Sequence, residues 1–155
     1  MTSVTDYAAS DAVASATSGQ LATFRLDGDL YGIEVEHVQE VLRSQGLTRV
    51  PLAPPAVAGL INLRGQVVTA IELRERLGRP PRPAGHDAVV IVVRLHGEAV
   101  SLLVDSIADV VDVDAADFEA PPDTLEGQSR DLIRGAYKLD GQLLLALDVQ
   151  KAVSA

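Results

Sequence analysis

Gly59-Leu60-Ile61-Asn62-Leu63-Arg64-Gly65-Gln66-Val67-Val68 is the stretch whose reading decides the fold. Two glycines bracket a short alternating run, and an arginine stands immediately before the second. A charged residue followed by Gly between two apolar runs reads as a hairpin tip. Arg64 then stands at the exposed end of two antiparallel strands, where its guanidinium is open to a partner.

Upstream, Leu21–Leu26 reads as a strand, Asp27-Gly28-Asp29 as a turn and Leu30–Val35 as the return strand. Val35, Val38, Val41 and Leu42 recur at three-to-four spacing, which predicts a short amphipathic helix from about Glu36 to Arg43. Thr48-Arg49-Val50-Pro51 is extended, because Val50 precedes a proline. Downstream, Thr69–Ile71 closes the hairpin. Glu72–Leu77 reads as one or two helical turns, with Glu72 and Arg76 spaced to pair. Pro80, Pro81 and Pro83 mark a linker at about 78–85. Val89–Leu95 and Ala99–Val104 then read as strands around the turn His96-Gly97-Glu98, and Asp105–Val111 carries a short helical pattern through Ile107 and Val110.

The chain repeats itself. A shift of 69 places Leu26 on Leu95, Gly28 on Gly97, Val35 on Val104, Val38 on Ile107, Glu40 on Asp109 and Val41 on Val110. A shift of 76 places Gly59 on Gly135, Leu63 on Leu139, Gly65 on Gly141, Ile71 on Leu147 and Glu72 on Asp148. The difference of seven residues falls around Pro121–Arg130. Each unit offers about five short strands, the make-up of a small antiparallel barrel that leaves few exposed edges. The expected organisation is a disordered tail over 1–20 and a folded region over 21–155. Within it, barrel 1 would cover about 21–79 and barrel 2 about 86–155, with strand exchange between barrels left open. Positions alike in both copies serve the fold, and positions that differ in kind are candidates for function. The largest difference is Arg64 against Asp140, and Asn62 against Lys138 is the second.

The composition limits the chemistry. Net charge is -9 and aromatics are 3% of 155 residues, which disfavours a phosphate backbone, base stacking and an anionic membrane. There is no cysteine, hence no disulfide or thiol chemistry. No apolar run approaches the roughly 20 residues of a transmembrane helix, and no signal peptide is evident, so a soluble cytoplasmic protein is expected. His37, His86 and His96 share no metal-ligand spacing. Asp109, Asp112, Asp114 and Asp117 lack the glycine of a calcium loop. Ser101, Ser106 and Ser129 have no nucleophile elbow, and no Gly-rich phosphate loop is present. Neither cofactor nor metal is expected, and a protein-binding surface is favoured over an enzyme. A small-molecule-binding barrel is the remote alternative.

Gly32-Ile33-Glu34-Val35 through Val38-Gln39-Glu40-Val41, Thr48-Arg49-Val50-Pro51, the Gly59–Gly65 block, and Val104-Asp105 with Ile107 and Asp109-Val110 together resemble the CheW family of bacterial chemotaxis coupling proteins. The resemblance covers about Leu21 to Val153. It implies an all-β fold with a few short helices: two five-stranded SH3-like barrels in tandem. It also implies a non-enzymatic adaptor that couples chemoreceptor tips to the histidine kinase CheA, through the kinase's own CheW-like regulatory domain. Such an adaptor works in membrane-associated arrays, with other CheW copies as possible ring partners. By the same resemblance, Arg64 matches an arginine important for receptor and array function. Val38 and Glu40 match positions in or near the contact surfaces, and Asn62 is carried over with them. Thr69 and Glu72 stand where family members often have Pro and Asp. An adaptor of a paralogous pathway, such as twitching motility, would read the same way.

Overall fold

A computed structural model describes residues 19–43, 46–125 and 127–154. Twelve strands make up most of it: β1 Gly19–Leu26, β2 Asp29–Glu34, β3 Val38–Leu42, β4 Leu47–Thr48, β5 Val57–Leu63, β6 Gln66–Glu72, β7 Val89–Leu95, β8 Glu98–Val104, β9 Ser106–Val113, β10 Phe118–Glu119, β11 Ile133–Leu139 and β12 Gln142–Leu147. Three short helices follow strands or loops: α1 Leu73–Arg76, α2 Gly127–Leu132 and α3 Val149–Val153. The fold is mostly β, with few short helices, as the repeat implies. The tail expected over 1–20 falls outside the described residues as far as residue 18, and Gly19 and Gln20 open β1.

The strands form two six-stranded sheets, ordered β4-β5-β6-β8-β7-β3 and β10-β11-β12-β2-β1-β9. Each has five longer strands and one of two residues, β4 or β10, which accounts for the count of six against the expected five. Moving every strand label six places along the chain converts one order into the other. The sheets therefore obey the sequence repeat, but they do not divide at the linker. The β1–β2 hairpin of the first unit joins β9–β12 of the second, and β7–β8 of the second joins β3–β6 of the first. Each exchanged hairpin is joined on both sides, by a parallel pairing (β2 with β12, β8 with β6) and by an antiparallel one (β1 with β9, β7 with β3). The partition into 21–79 and 86–155 gives way to exchange of one hairpin per unit. We call the two halves the Arg64 barrel (β3–β8) and the Asp140 barrel (β1, β2, β9–β12).

The exchange explains why the central strands read as unbroken apolar runs. Val90 and Val92 of β7 point into the Arg64 barrel with Ile61, Leu63, Val68 and Ala70. Their neighbours Ile91 and Val93 point the other way, into a core shared by both barrels with Phe24, Tyr31, Ile33, Leu102, Leu145 and Leu147. A strand buried on both faces needs no polar alternation. Each such Leu or Ile, fully buried, contributes about 1.5–3 kcal/mol. The larger core is the one between the barrels, so the junction is part of the folding unit.

Three local expectations are corrected. The predicted helix at Glu36–Arg43 is a single 3-10 turn, Val35–His37, followed by strand β3. The pattern at Asp105–Val111 is strand β9. Both segments are β-branched, and both sit at bulges, where one extra residue breaks the period of two and mimics a helical spacing. Val41 and Val110, read as helix-face residues, are exposed. Lastly, Glu72 does not pair with Arg76. It accepts from the Arg74 N–H at the start of α1 and from the Arg82 guanidinium, while Arg76 donates to the carbonyls of Lys151 and Ala152.

Candidate functional site

Arg64 and Gly65 form the two-residue tip between β5 and β6, with φ of 52° and 83°. Positive φ at both positions twists the turn to suit the hairpin, and Gly65 adopts it without strain. The Asn62 side-chain oxygen accepts from the Gly65 N–H at 3.0 Å. Asn62 is therefore a turn-holding residue, and the guanidinium beside it is what the tip presents.

That guanidinium reaches Glu40 on β3. Arg64 Nη1 donates to Glu40 Oε2 at 2.7 Å, and Nη2 donates to Oε1, a bidentate fork. The side chain of Arg64 is 72% exposed and that of Glu40 is 19%. The hydrogen bonds from Arg64 hold the Glu40 carboxyl below the usual carboxylate range, and Glu40 raises the Arg64 guanidinium in turn. Gln39 donates to Glu40 at 3.4 Å and accepts from Arg94 at 2.8 Å, so the pair continues into a chain of contacts from β3 across to β7. Val38, two residues before Glu40, is half-buried and packs against the shared core. The structure thus brings Arg64 and Glu40 together, keeps Asn62 behind the tip and turns Val38 inward. The exposed apolar residues nearby are Val41 and Val67.

The second copy lacks the clasp. The equivalents of Arg64 and Glu40 are Asp140 and Asp109, two carboxylates that cannot form an ion pair. The Asp109 carbonyl accepts from the Thr23 hydroxyl. Lys138, the counterpart of Asn62, pairs with Glu119 at 2.9 Å. The apolar flank is retained: Val110 and Leu143 are exposed where Val41 and Val67 are. The barrels share the exposed apolar flank and differ in the charge beside it: a paired arginine and glutamate in one, two aspartates in the other.

Charges that the hairpin does not include close one flank of the junction. Arg74 of α1 is 6% exposed. It forks onto Asp105 at 2.9 and 2.6 Å and donates to the Pro80 carbonyl. Asp105 also receives Arg82 and the Asp27 N–H. Partial burial would raise the Asp105 carboxyl, but Arg74, Asp27 N–H and Arg82 outweigh it and hold it at about 2. Arg79 pairs with Asp27 and Asp29 and donates to the Tyr31 hydroxyl at 2.9 Å. The segment 78–85, expected as a linker, is a strap bound across both barrels. The signal for this cluster is again a contrast between copies: Arg74 against Gln150, and Asp27 against His96.

Comparison with known proteins gives a consistent picture. Residues 20–155 match the family model for the CheW-like domain. A chemotaxis protein CheW of Bacillus subtilis is 30% identical over 132 residues, covering 85% of this chain and 85% of that protein. One of Treponema pallidum is 29% identical over 140 residues, covering 88% and 82%. The solved structure of the scaffolding protein TtCheW from Thermoanaerobacter tengcongensis superposes with a TM-score of 0.74 at 28% identity, covering 84% of this chain and 89% of that one.

Proposed function

The chain belongs to the CheW-like domain family, and from that premise we propose that it is a non-enzymatic adaptor coupling chemoreceptor tips to the histidine kinase CheA. A chemotaxis scaffold role is the coarse reading carried by the family and by its relatives. The finer reading rests on one observation. The bidentate Arg64–Glu40 clasp stands at an exposed hairpin tip of one barrel, and the other barrel has acids at both positions.

Interfaces of this kind gain affinity from apolar contact and orientation from charge at the rim. On the Arg64 barrel, Val41 and Val67 supply the apolar contact and the clasp supplies the rim. Glu40 pre-orders the Arg64 side chain, which lowers the entropy lost when a partner acceptor engages the guanidinium N–H groups that Glu40 leaves exposed. The interaction is non-covalent throughout. We assign Arg64 and Glu40 to direct contact, Asn62 to holding the tip, and Val38 to setting the position of β3 beneath it. We place the adaptor in the cytoplasm at receptor arrays. Among the described residues no helix is long and apolar enough to cross a membrane.

Co-sedimentation with receptor-containing membranes and CheA tests the reading. The full chain is expected to pellet with the receptors, to carry CheA down with it and to raise kinase activity. Failure to bind both CheA and receptor tips overturns it. Binding only the components of a twitching-motility system would assign the same adaptor to that pathway.

A further inference from the structure

Among the described residues other than glycine, Asp27, Leu52, Arg64 and His96 have positive φ. Three of them are polar, and each precedes a glycine at a hairpin tip, where such φ is favoured. Leu52 is the exception. It stands in the loop between β4 and β5, in a turn closed by the Ala53 N–H donating to the Val50 carbonyl. Pro51 takes the first central position of that turn, and the second is left-handed, a place that suits glycine or asparagine. Leucine is strained there, at φ 65°. No burial within the chain offsets the strain: the Leu52 side chain is fully exposed, and Leu47 and Val50 before it are exposed too.

The loop that carries Leu52 borders an apolar pocket of about 350 Å³ at one end of the Arg64 barrel. Leu47, Ile61, Val90 and Leu103 line it, with Arg49 and Pro55 from the loop itself. The other barrel shows why the pocket exists. Leu47 pairs with Ile61 as Phe118 pairs with Tyr137. The two rings meet edge to face with centroids 5.1 Å apart and pack into the core of the Asp140 barrel. The smaller aliphatic pair leaves the pocket open. Charges of both signs stand on its rim, Arg49 in its wall and Asp87 just before the wall residue Ala88. Both are exposed, and neither has an ion-pair partner among the described residues.

We propose that this end of the Arg64 barrel is a two-fold interface with a second copy of the chain, in which Leu52 of each copy enters the apolar pocket of the other. A projecting side chain and a pocket on one continuous patch are complementary to themselves under a two-fold axis. The rim follows the same rule, because Arg49 and Asp87 of one copy meet Asp87 and Arg49 of the other. The strain at Leu52 is offset by burial that only the dimer provides. The pocket lies at the start of β5, where Val57 and Ala58 line it, whereas Arg64 follows the end of that strand. The interface is therefore separate from the Arg64 tip and does not depend on the adaptor reading.

Sedimentation of the full chain up to about 1 mM tests the proposal. A reversible monomer–dimer equilibrium with a Kd of about 10–500 μM is expected, as suits a small interface. Amide shifts of the isotope-labelled chain that follow its concentration should map to Leu52, Val57, Ala58 and Ala88. Leu52→Asn should weaken the dimer about tenfold or more and, at concentrations where the chain is monomeric, raise the melting temperature. A leucine that served only its own chain's fold would lower it. Arg49→Glu should weaken the dimer about threefold, and adding Asp87→Arg should restore it. A chain that stays monomeric to about 1 mM, a dimer indifferent to Leu52→Asn, a lower melting temperature in that variant, or no restoration by the charge swap overturns the proposal. Concentration-dependent shifts at the Arg64 tip in place of the pocket would put self-association elsewhere and overturn it as well.

Discussion

The β5–β6 and β11–β12 hairpins are built alike and end differently. Gly59 and Gly135 open them, and Gly65 and Gly141 turn them with φ of 83° and 82°. A methyl at Gly59 would stand 2.4 Å from the Thr48 carbonyl oxygen, and one at Gly135 would stand 2.5 Å from that of Glu119. In both barrels the short outer strand crosses too close for a side chain, so the glycine is a requirement of the fold. At the tips no such requirement operates. One tip carries Arg64 clasped to Glu40, and the other carries Asp140 opposite the equivalent acid. What the copies share builds the barrels, and what they do not share gives each barrel its own surface.

The largest effect should fall on the shared positions, equally in both barrels. Gly59→Ala and Gly135→Ala are each expected to destabilise by about 2–4 kcal/mol through the backbone clash. Thermal melts should show comparable drops for the two, and a large loss at only one would break the equivalence of the hairpins.

Next comes the junction, where equivalence is expected to fail. Arg74→Ala removes one side of a largely buried ion pair and leaves Asp105 to Arg82, at a cost of about 3 kcal/mol. Gln150→Ala, at the matching position of α3, should stay within about 0.5 kcal/mol. Urea denaturation midpoints separate these outcomes. Equal effects would mean that the strap contributes nothing.

A smaller effect follows from acid. The Asp105 carboxyl lies at about 2 against an ordinary 3.8, so its contribution is present above the ordinary value and is lost as pH falls through about 2. After allowance for solvent screening this amounts to roughly 1–2 kcal/mol. In stability measured from pH 5 to pH 2, Asp105→Asn should start lower and decline less steeply than wild type. Parallel curves would remove the strap cluster as the cause.

The smallest effect on folding is expected at the tip. Arg64 is highly exposed, and Arg64→Glu should leave the denaturation midpoint where it is. Whatever that substitution changes must then be read in binding.

The strands, the hairpin glycines and the acid that begins each terminal helix are legible in the chain, because period-two burial and positive φ leave local marks. Glu72 and Asp148 both cap their helices from the side chain. Strands β3 and β9 are not legible as strands. A bulge puts Val38 and Val41, and likewise Ile107 and Val110, three apart on what looks like one helical face. Hairpin exchange leaves no local mark at all, since an apolar strand does not say which neighbour covers it. Of the site, the charge contrast at Arg64 is legible, but its bond to Glu40 is not: 24 residues separate them, and a helical reading of β3 aims Glu40 elsewhere. Arg74 sits between Leu73 and Glu75 without any pattern around it, and only its contrast with Gln150 marks it.

Kinase activation in reconstituted receptor–CheA arrays, with Arg64→Glu and Asp140→Arg compared at equal protein concentration, tests the central claim most directly. The clasp on one barrel alone predicts that Arg64→Glu lowers coupling by tenfold or more, while Asp140→Arg stays near wild type. Wild-type coupling by Arg64→Glu, or equal loss in both variants, would contradict it.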